Sequence, residues 1–365
     1  MASFARGTVT EILDRRSDLV TVRVRVDEEE VEAAAFPHMI GTLEQGHRVI
    51  LNTTGIALGL GTGGTAFVLW DLDADPDDGV GEGHIVKLRY TPWQTNVLAA
   101  EAPESPHHDG LVEAESLAGA PTVACGLHSQ VPAVAAGIKA RAPDARVGYL
   151  MTDGAALPLA WSRLVAASRD AGLIDATATA GHAFGGDLEA VNVFSGLVAL
   201  RHAAQCDAIV AAMGPGVVGT GTALGHTALE QGQLLDAATA LAGFAVACLR
   251  VSFVDERERQ RGISHHTITA LRVSARESCT IAVPDIDQRD ELERQLVEAG
   301  VTDRHRVEVR DGAPALQLLT ERGLHPTSMG RTIGQTPELF LAAGAAGCLA
   351  GERVADATGG NAFQP

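Results

Sequence analysis

The chain has 365 residues, 46% of them apolar, which is enough for two domains with sizeable cores and excludes general intrinsic disorder. Its 46 acidic and 28 basic side chains leave a formal charge of −18, which argues against nucleic acid or an anionic membrane as partner through a broad basic face. Of the 28 cations, 26 are Arg and two are Lys, Lys87 and Lys139. Neither lysine follows Gly, so no Walker-type phosphate loop is written, and a Schiff base has only these two candidates.

The five cysteines are widely spaced, with no Cys-x-x-Cys pair. That excludes a zinc ribbon and a thioredoxin-like motif, and most of the cysteines sit in apolar contexts where free Cys packs as a small hydrophobe. There is no basic-then-apolar leader and no apolar run of spanning length. The expectation is a soluble cytoplasmic protein, with a homo-oligomer open.

In chain order, residues 1–83 read as a small antiparallel β-barrel or sandwich ending in an acidic linker. Val20, Val22, Val24 and Val26 alternate with polar residues at the strand period of two, the acidic run from Asp27 to Glu30 is a turn, and short strands follow at 48–51 and 66–70. The acidic stretch from Asp71 to Gly83 breaks the pattern. Residues 84–120 read as a connecting strand and a Pro-containing loop.

From 121 to 365 the rhythm becomes strand, Gly/His/Asp turn, helix. Strand candidates are 122–125, 146–151, 176–179, 208–212, 245–251, 280–283 and 306–309, separated by helical segments such as 287–299, with Gly300 as a stop. Apolar strands alternating with amphipathic helices predict a doubly wound, Rossmann-like, mostly parallel sheet. The carboxyl ends of these strands, where open α/β sheets bind ligands, carry Gly126–Ser129, Thr152–Gly154, Gly181–Asp187, Gly214–Thr222 and Gly262–Thr267. The opposite ends are plainer, and that asymmetry predicts a small-molecule site.

The runs HIVKLRYTPWQ, MTDGAALP, GHAFGGDLEAVNVFSGL, MGPGVVGTGTALGHTALEQG and RGISHHTITAL resemble a bacterial family catalogued as domain-of-unknown-function family 3866. The resemblance spans nearly the whole chain and implies no activity, so the chemistry rests on the residues.

The loop Gly214, Gly216, Gly219, Thr220, Gly221, Thr222 follows a strand and is expected to open a helix, where backbone N–H groups could hold a phosphate. A nicotinamide dinucleotide site is disfavoured, because Asp255, the candidate ribose acid, lies about twice the usual ~20 residues away. The histidines and acids at the same edge are the second constellation. Asp153, His182, Asp187 and His266 are the candidate acid–base groups. His128, His182, Asp187 and His265 are the candidate ligands of a divalent metal, the one cofactor the sequence suggests. His226 and Glu230 lie nearby. No established metal spacing is present, and His265-His266 cannot both face one ligand on a regular strand. Bland alternatives exist: Asp187 as N-cap of a helix starting at Leu188, Ser129 as a cap, and Glu230 as a solvated helix residue.

Two weaker patterns are set aside. Asp71, Asp73, Asp75 and Glu82 match calcium-loop positions, but Pro76 stands where that loop needs Gly. Gly59–Gly64 matches G-x-G-x-x-G between strands, with no helix to follow. No G-x-S-x-G elbow occurs, which excludes a serine hydrolase of this fold. The leading expectation is an enzyme on a phosphorylated or nucleotide-like small molecule, a hydrolase or transferase before an oxidoreductase. The alternative is a metabolite sensor or scaffold with the barrel as its interaction module.

Overall fold

The computed structural model describes residues 2–60, 64–74 and 81–359. Two compact units emerge: residues up to 82 with Leu88–Asn96, and Gly83–Lys87 with everything from Val97 onward. The segment expected as a connection is thus divided between the units, with Ile85–Lys87 a short strand of the larger one.

The smaller unit is a closed barrel of β1 (Phe4–Arg15), β2 (Val20–Val26), β3 (Glu29–Ala35), β4 (Arg48–Asn52) and β5 (Ala66–Asp71), in the order β1-β2-β3-β5-β4. Two register shifts bend β1, which lets one strand pair with β2 along its later half and with β4 along its first. The β3–β5 pair is parallel and the others antiparallel. Val20, Val22 and Val24 point inward with Val9, Val49 and Leu51, as the alternation predicts. Asp71 is not linker but the buried end of β5, 2.6 Å from His47 Nδ1, and Asp73 pairs with Arg48. Both carboxylates are therefore engaged by side chains of the barrel itself, His47 and Arg48. Asp75 and Pro76 lie outside the described residues, as do Gly61, Thr62 and Gly63.

The larger unit carries eight parallel strands: β6 (Pro121–Ala124), β7 (Val147–Thr152), β8 (Ala176–Ala180), β9 (Leu188–Ala190), β10 (Ala208–Met213), β11 (Phe244–Cys248), β12 (Thr280–Pro284) and β13 (Arg306–Arg310). Their order is β9-β8-β7-β10-β6-β11-β12-β13. Seven lie where the sequence placed them, and β9 is the addition. Side chains such as Val123, Leu150 and Ile209 are fully buried, because helices cover both faces. One face holds α1 (Val131–Arg141), α2 (Arg163–Asp170), α6 (Ala313–Glu321) and α7 (Pro337–Gly359), and the other holds α3 (Val193–His202), α4 (Glu230–Ala240) and α5 (Arg289–Glu298). This is the doubly wound architecture expected. Gly300 follows α5 with φ +66, the left-handed position that ends a helix without a Cβ clash. Among the described residues no helix is long and apolar enough to cross a membrane.

α7 lies unusually close to α1. Gly344 and Gly347 face Gly137, so backbones meet where side chains would otherwise separate them. A methyl at Gly347 would overlap the Val134 carbonyl, and one at Gly351 the Ile138 carbonyl. Gly347→Ala should therefore destabilise the larger unit by about 1–3 kcal/mol or more, despite the better helix propensity of Ala. Urea titration monitored by circular dichroism measures the loss.

Candidate functional site

Strand order decides where a ligand can enter. Crossovers between parallel strands are right-handed. The chain leaves β6 and β7 through α1 and α2 on one face, and leaves β10 and β11 toward the other. Because β10 lies between β7 and β6, and β11 beside β6, neighbouring strands send their chains apart at their carboxyl ends. The crevice between them is the ligand position of an open α/β sheet.

Two buried glutamines hold that crevice in shape. Gln231, in the first turn of α4, donates through Nε2 to the carbonyls of Ala124 (2.9 Å) and Cys248 (2.7 Å), the last residues of β6 and β11. Gln130 donates to Leu249 O at 2.8 Å and accepts from Leu127 N at 3.1 Å. Strand-end carbonyls without a helix above them are satisfied this way, and α4 is fixed over the strands.

Three histidines converge beside it. His226 pairs with Gly219 in an antiparallel bridge at the base of the excursion after β10. His265 and His266 open the helix His265–Thr269, capped by Ser264. They are thus not on a strand, and the objection that adjacent residues face opposite ways disappears. The His226 and His266 rings stack at 4.0 Å between centroids, and His265 stands edge-on to His266 at 4.3 Å. Nitrogens of all three lie within 4.8 Å of one another. Both His226 nitrogens and His265 Nε2 are buried without a well-formed hydrogen bond; the Ala223 carbonyl lies near enough to His226 to oppose the lowering of its pKa. Burial first, and mutual repulsion with neighbouring cations second, push His266 down to about 3, while burial is the main cause that lowers His226 and His265. All three imidazoles are neutral at pH 7.

Arg250, two residues beyond β11, is only 6% exposed, and among the described residues no carboxylate lies in hydrogen-bond reach of it. Its guanidinium lies 3.4 Å from His266 Nδ1 and 3.6 Å from Met329 Sδ. Burial, then the neighbouring Arg257, lower its pKa to about 10. Asp255, the nearest compensating acid, is spent on a bidentate pair with Arg257 and held down at about 2. It is also unavailable to a ribose. Arg259 donates to Gly221 O at 3.0 Å and bolts the Gly-rich loop to this side.

A second group sits at the ends of β7 and β8. Asp153 Oδ2 accepts from the His182 amide at 2.9 Å. Glu230, at the start of α4, packs its carboxylate against Gly154, and burial, with Asp153 adding to it, raises its pKa to about 7. It is not a solvated helix residue. Lys87 closes the neighbouring turn: its buried Nζ donates to Ala183 O (2.9 Å), Ala190 O (3.1 Å) and Thr179 O (3.4 Å), and lies 3.2 Å from Glu189 Oε2. Burial lowers the pKa of this amine against the pull of Glu189, and its three carbonyl bonds hold it away from a carbonyl substrate, which argues against a Schiff base. Lys139 pairs with Asp175 at the opposite edge.

Several sequence expectations are corrected. Asp187 does not cap a helix, because Leu188–Ala190 is the edge strand β9. The 181–187 turn doubles back, so Asp187 accepts from the Thr177 amide and pairs with Arg169 at the amino end of β8, away from the crevice. His128 is buried with both ring nitrogens occupied: Nδ1 donates to Met213 O (3.2 Å), and Nε2 accepts from Ser162 (2.6 Å). The set His128, His182, Asp187 and His265 does not assemble. Among the described residues the group that could hold a metal is His226, His265 and His266. The Gly214–Thr222 loop follows β10 but does not open a helix; α4 starts at Glu230. The Val218 and Thr220 amides turn inward to Thr227 Oγ1 and Gly225 O instead. Ser129 bonds Ser328 rather than capping α1. Arg250 was missed: its signal, a charge just past an apolar strand, is weak among 26 arginines.

A family model described as "Protein of unknown function (DUF3866)" matches residues 32–347. No curated protein and no solved structure matches the chain.

Two outcomes follow from this geometry. Lys87→Met strands Glu189 and three carbonyls in the interior, so it should lower stability by about 3–5 kcal/mol in urea titration. Burial, opposed weakly by the Met213 carbonyl, holds His128 near pKa 4 against an unfolded value of 6.5. Its folded pKa is depressed, so the unfolded state binds the extra proton as pH falls from 6.5. Stability is full above pH 6.5 and declines toward pH 4, by up to about 1.4 kcal/mol per pH unit. The difference in that slope between wild type and His128→Gln isolates the effect.

Proposed function

The chain belongs to the DUF3866 family of proteins of unknown function, and for this member we propose an enzyme that acts on a phosphorylated or nucleotide-like small molecule in the crevice beyond β7, β10, β6 and β11. The observation that carries the reading is Arg250. A guanidinium keeps its charge at any working pH, and burying one with no counter-ion is strongly unfavourable. Here it faces neutral imidazoles and a thioether, with Arg257 and Arg259 nearby. An anionic ligand group supplies the missing charge. In this reading the Gly214–Thr222 loop is the wall that covers the anion, and Arg250 replaces the helix N-terminus as its main partner. Glu230, which burial raises to about 7, is the acid–base group of this reading, with Asp153 at the neighbouring strand end, while His266 lines the crevice against Arg250. Hydrolysis or group transfer fits these groups better than hydride transfer.

The second reading, a sensor or scaffold, has its own support: the barrel exposes Trp70 at 58% and Phe4 at 55%. A partner for that surface would not require turnover.

The two signs of one substitution test the proposal. Arg250→Met removes an uncompensated buried charge, so the ligand-free protein should gain about 1 kcal/mol or more in stability. The same variant should lose the thermal response to phosphorylated compounds, which in wild type approaches 2.7 kcal/mol at about 100 times the dissociation constant. A variant that loses stability, with wild type unmoved by nucleotides and sugar phosphates, overturns the reading. Mass spectrometry of a bound compound after long incubation separates enzyme from sensor, because only the enzyme changes its mass.

A further inference from the structure

We propose that His226, His265 and His266 together bind one divalent transition-metal ion, with an open coordination position turned toward Arg250. The inference rests on the crevice being the working site and adds a cofactor that the residues named from sequence could not hold.

The argument begins with unsatisfied nitrogens. A neutral imidazole has one N–H and one lone pair, and a buried one without partners is destabilising. His226 is 7% exposed with neither nitrogen bonded, and His265 Nε2 is likewise buried and alone. No carboxylate among the described residues collects these groups, and the Ala223 carbonyl approaches His226 alone. One ring nitrogen from each residue lies within 4.8 Å of the others, and a single cation would take a lone pair from each. Metal–imidazole bonds of about 2.0–2.1 Å put ligand nitrogens about 3.3 Å apart in a tetrahedron. The present spacing closes to that value by rotating side chains out of the 4.0 Å His226–His266 stack.

The donor set selects the class of ion. Three imidazoles and no oxygen ligand suit zinc, nickel, copper or iron(II), and not magnesium or calcium. Three protein ligands leave the coordination shell open, the arrangement found where a metal takes part in a reaction. The surrounding arginines then make sense as well. Arg250, Arg257 and Arg259 repel a bare cation but attract an anion, so the open position is suited to hydroxide or a substrate oxyanion bridging the metal and Arg250.

The experiment is metal analysis of the full-length protein by inductively coupled plasma mass spectrometry, followed by chelation and titration with cobalt(II). About one equivalent per chain is expected, with visible d–d bands on cobalt loading. His226→Gln, His265→Gln and His266→Gln should each weaken cobalt binding by about tenfold or more. Partly exposed His265 is the variant safest for folding, checked by circular dichroism. His182→Gln should leave the spectrum unchanged. Folded wild type with no stoichiometric metal and no cobalt bands overturns the proposal, as does a spectrum that responds to His182→Gln but not to His265→Gln. The functional reading fails separately: a phosphate-dependent thermal shift in chelated protein leaves that reading intact without the metal. Stoichiometric metal with no such shift removes the phosphate instead.

Discussion

The carboxyl edge of the sheet depends on how strand-end carbonyls are satisfied where neighbouring crossovers part. Gln231 bridges the ends of β6 and β11 across the gap, and Gln130 reaches Leu249 from the other side. A buried carbonyl left alone there would cost about 1–3 kcal/mol. Gln231 also fixes the start of α4, and with it Glu230 and the His226 segment just upstream. Removing this amide would loosen the acid at the β7 end and the imidazoles at the β11 end together.

Buried polar groups around the edge fall into two kinds. Lys87 and His128 have every hydrogen-bonding atom committed to a carbonyl, hydroxyl or opposite charge. They fasten turns to strands. Arg250, His226, His265 and Glu230 are buried or nearly so, and each retains an atom or a charge without a partner. The first kind stabilises the fold by completing its bonds. The second holds unfavourable desolvation that nothing among the described residues offsets, which is the energetic basis of the binding proposed for this edge.

Residue type alone does not separate these two kinds. Asp187 and Asp153 stand on either side of the same expected strand–turn segment, yet the 181–187 turn carries Asp187 back to the amino edge beside Thr177 while Asp153 remains at the carboxyl edge. His128 and His266 both follow strands at the busy edge. Tyr149, Ser162 and Met213 close around the first, whereas two further imidazoles and a guanidinium lie against the second. A density of Gly, His and Asp after strands was legible; which members meet was not, because partners such as His128 and Met213, distant in the chain, are brought together by sheet order.

By itself, the sequence determined what local patterning can determine. Period-two valines made the barrel strands, apolar runs between amphipathic segments made a parallel sheet covered on both faces, and the polar content of strand ends set one edge of that sheet apart from the other. These signals act over a few residues through backbone geometry and burial. Tertiary structure alone decided that β10 inserts between β7 and β6, that a residue read as a helix cap lies beside an edge strand, and that His226 meets His265 and His266. Those outcomes depend on non-local pairing and crossover handedness, so the site is assembled by topology from residues whose neighbours in sequence do not reveal it.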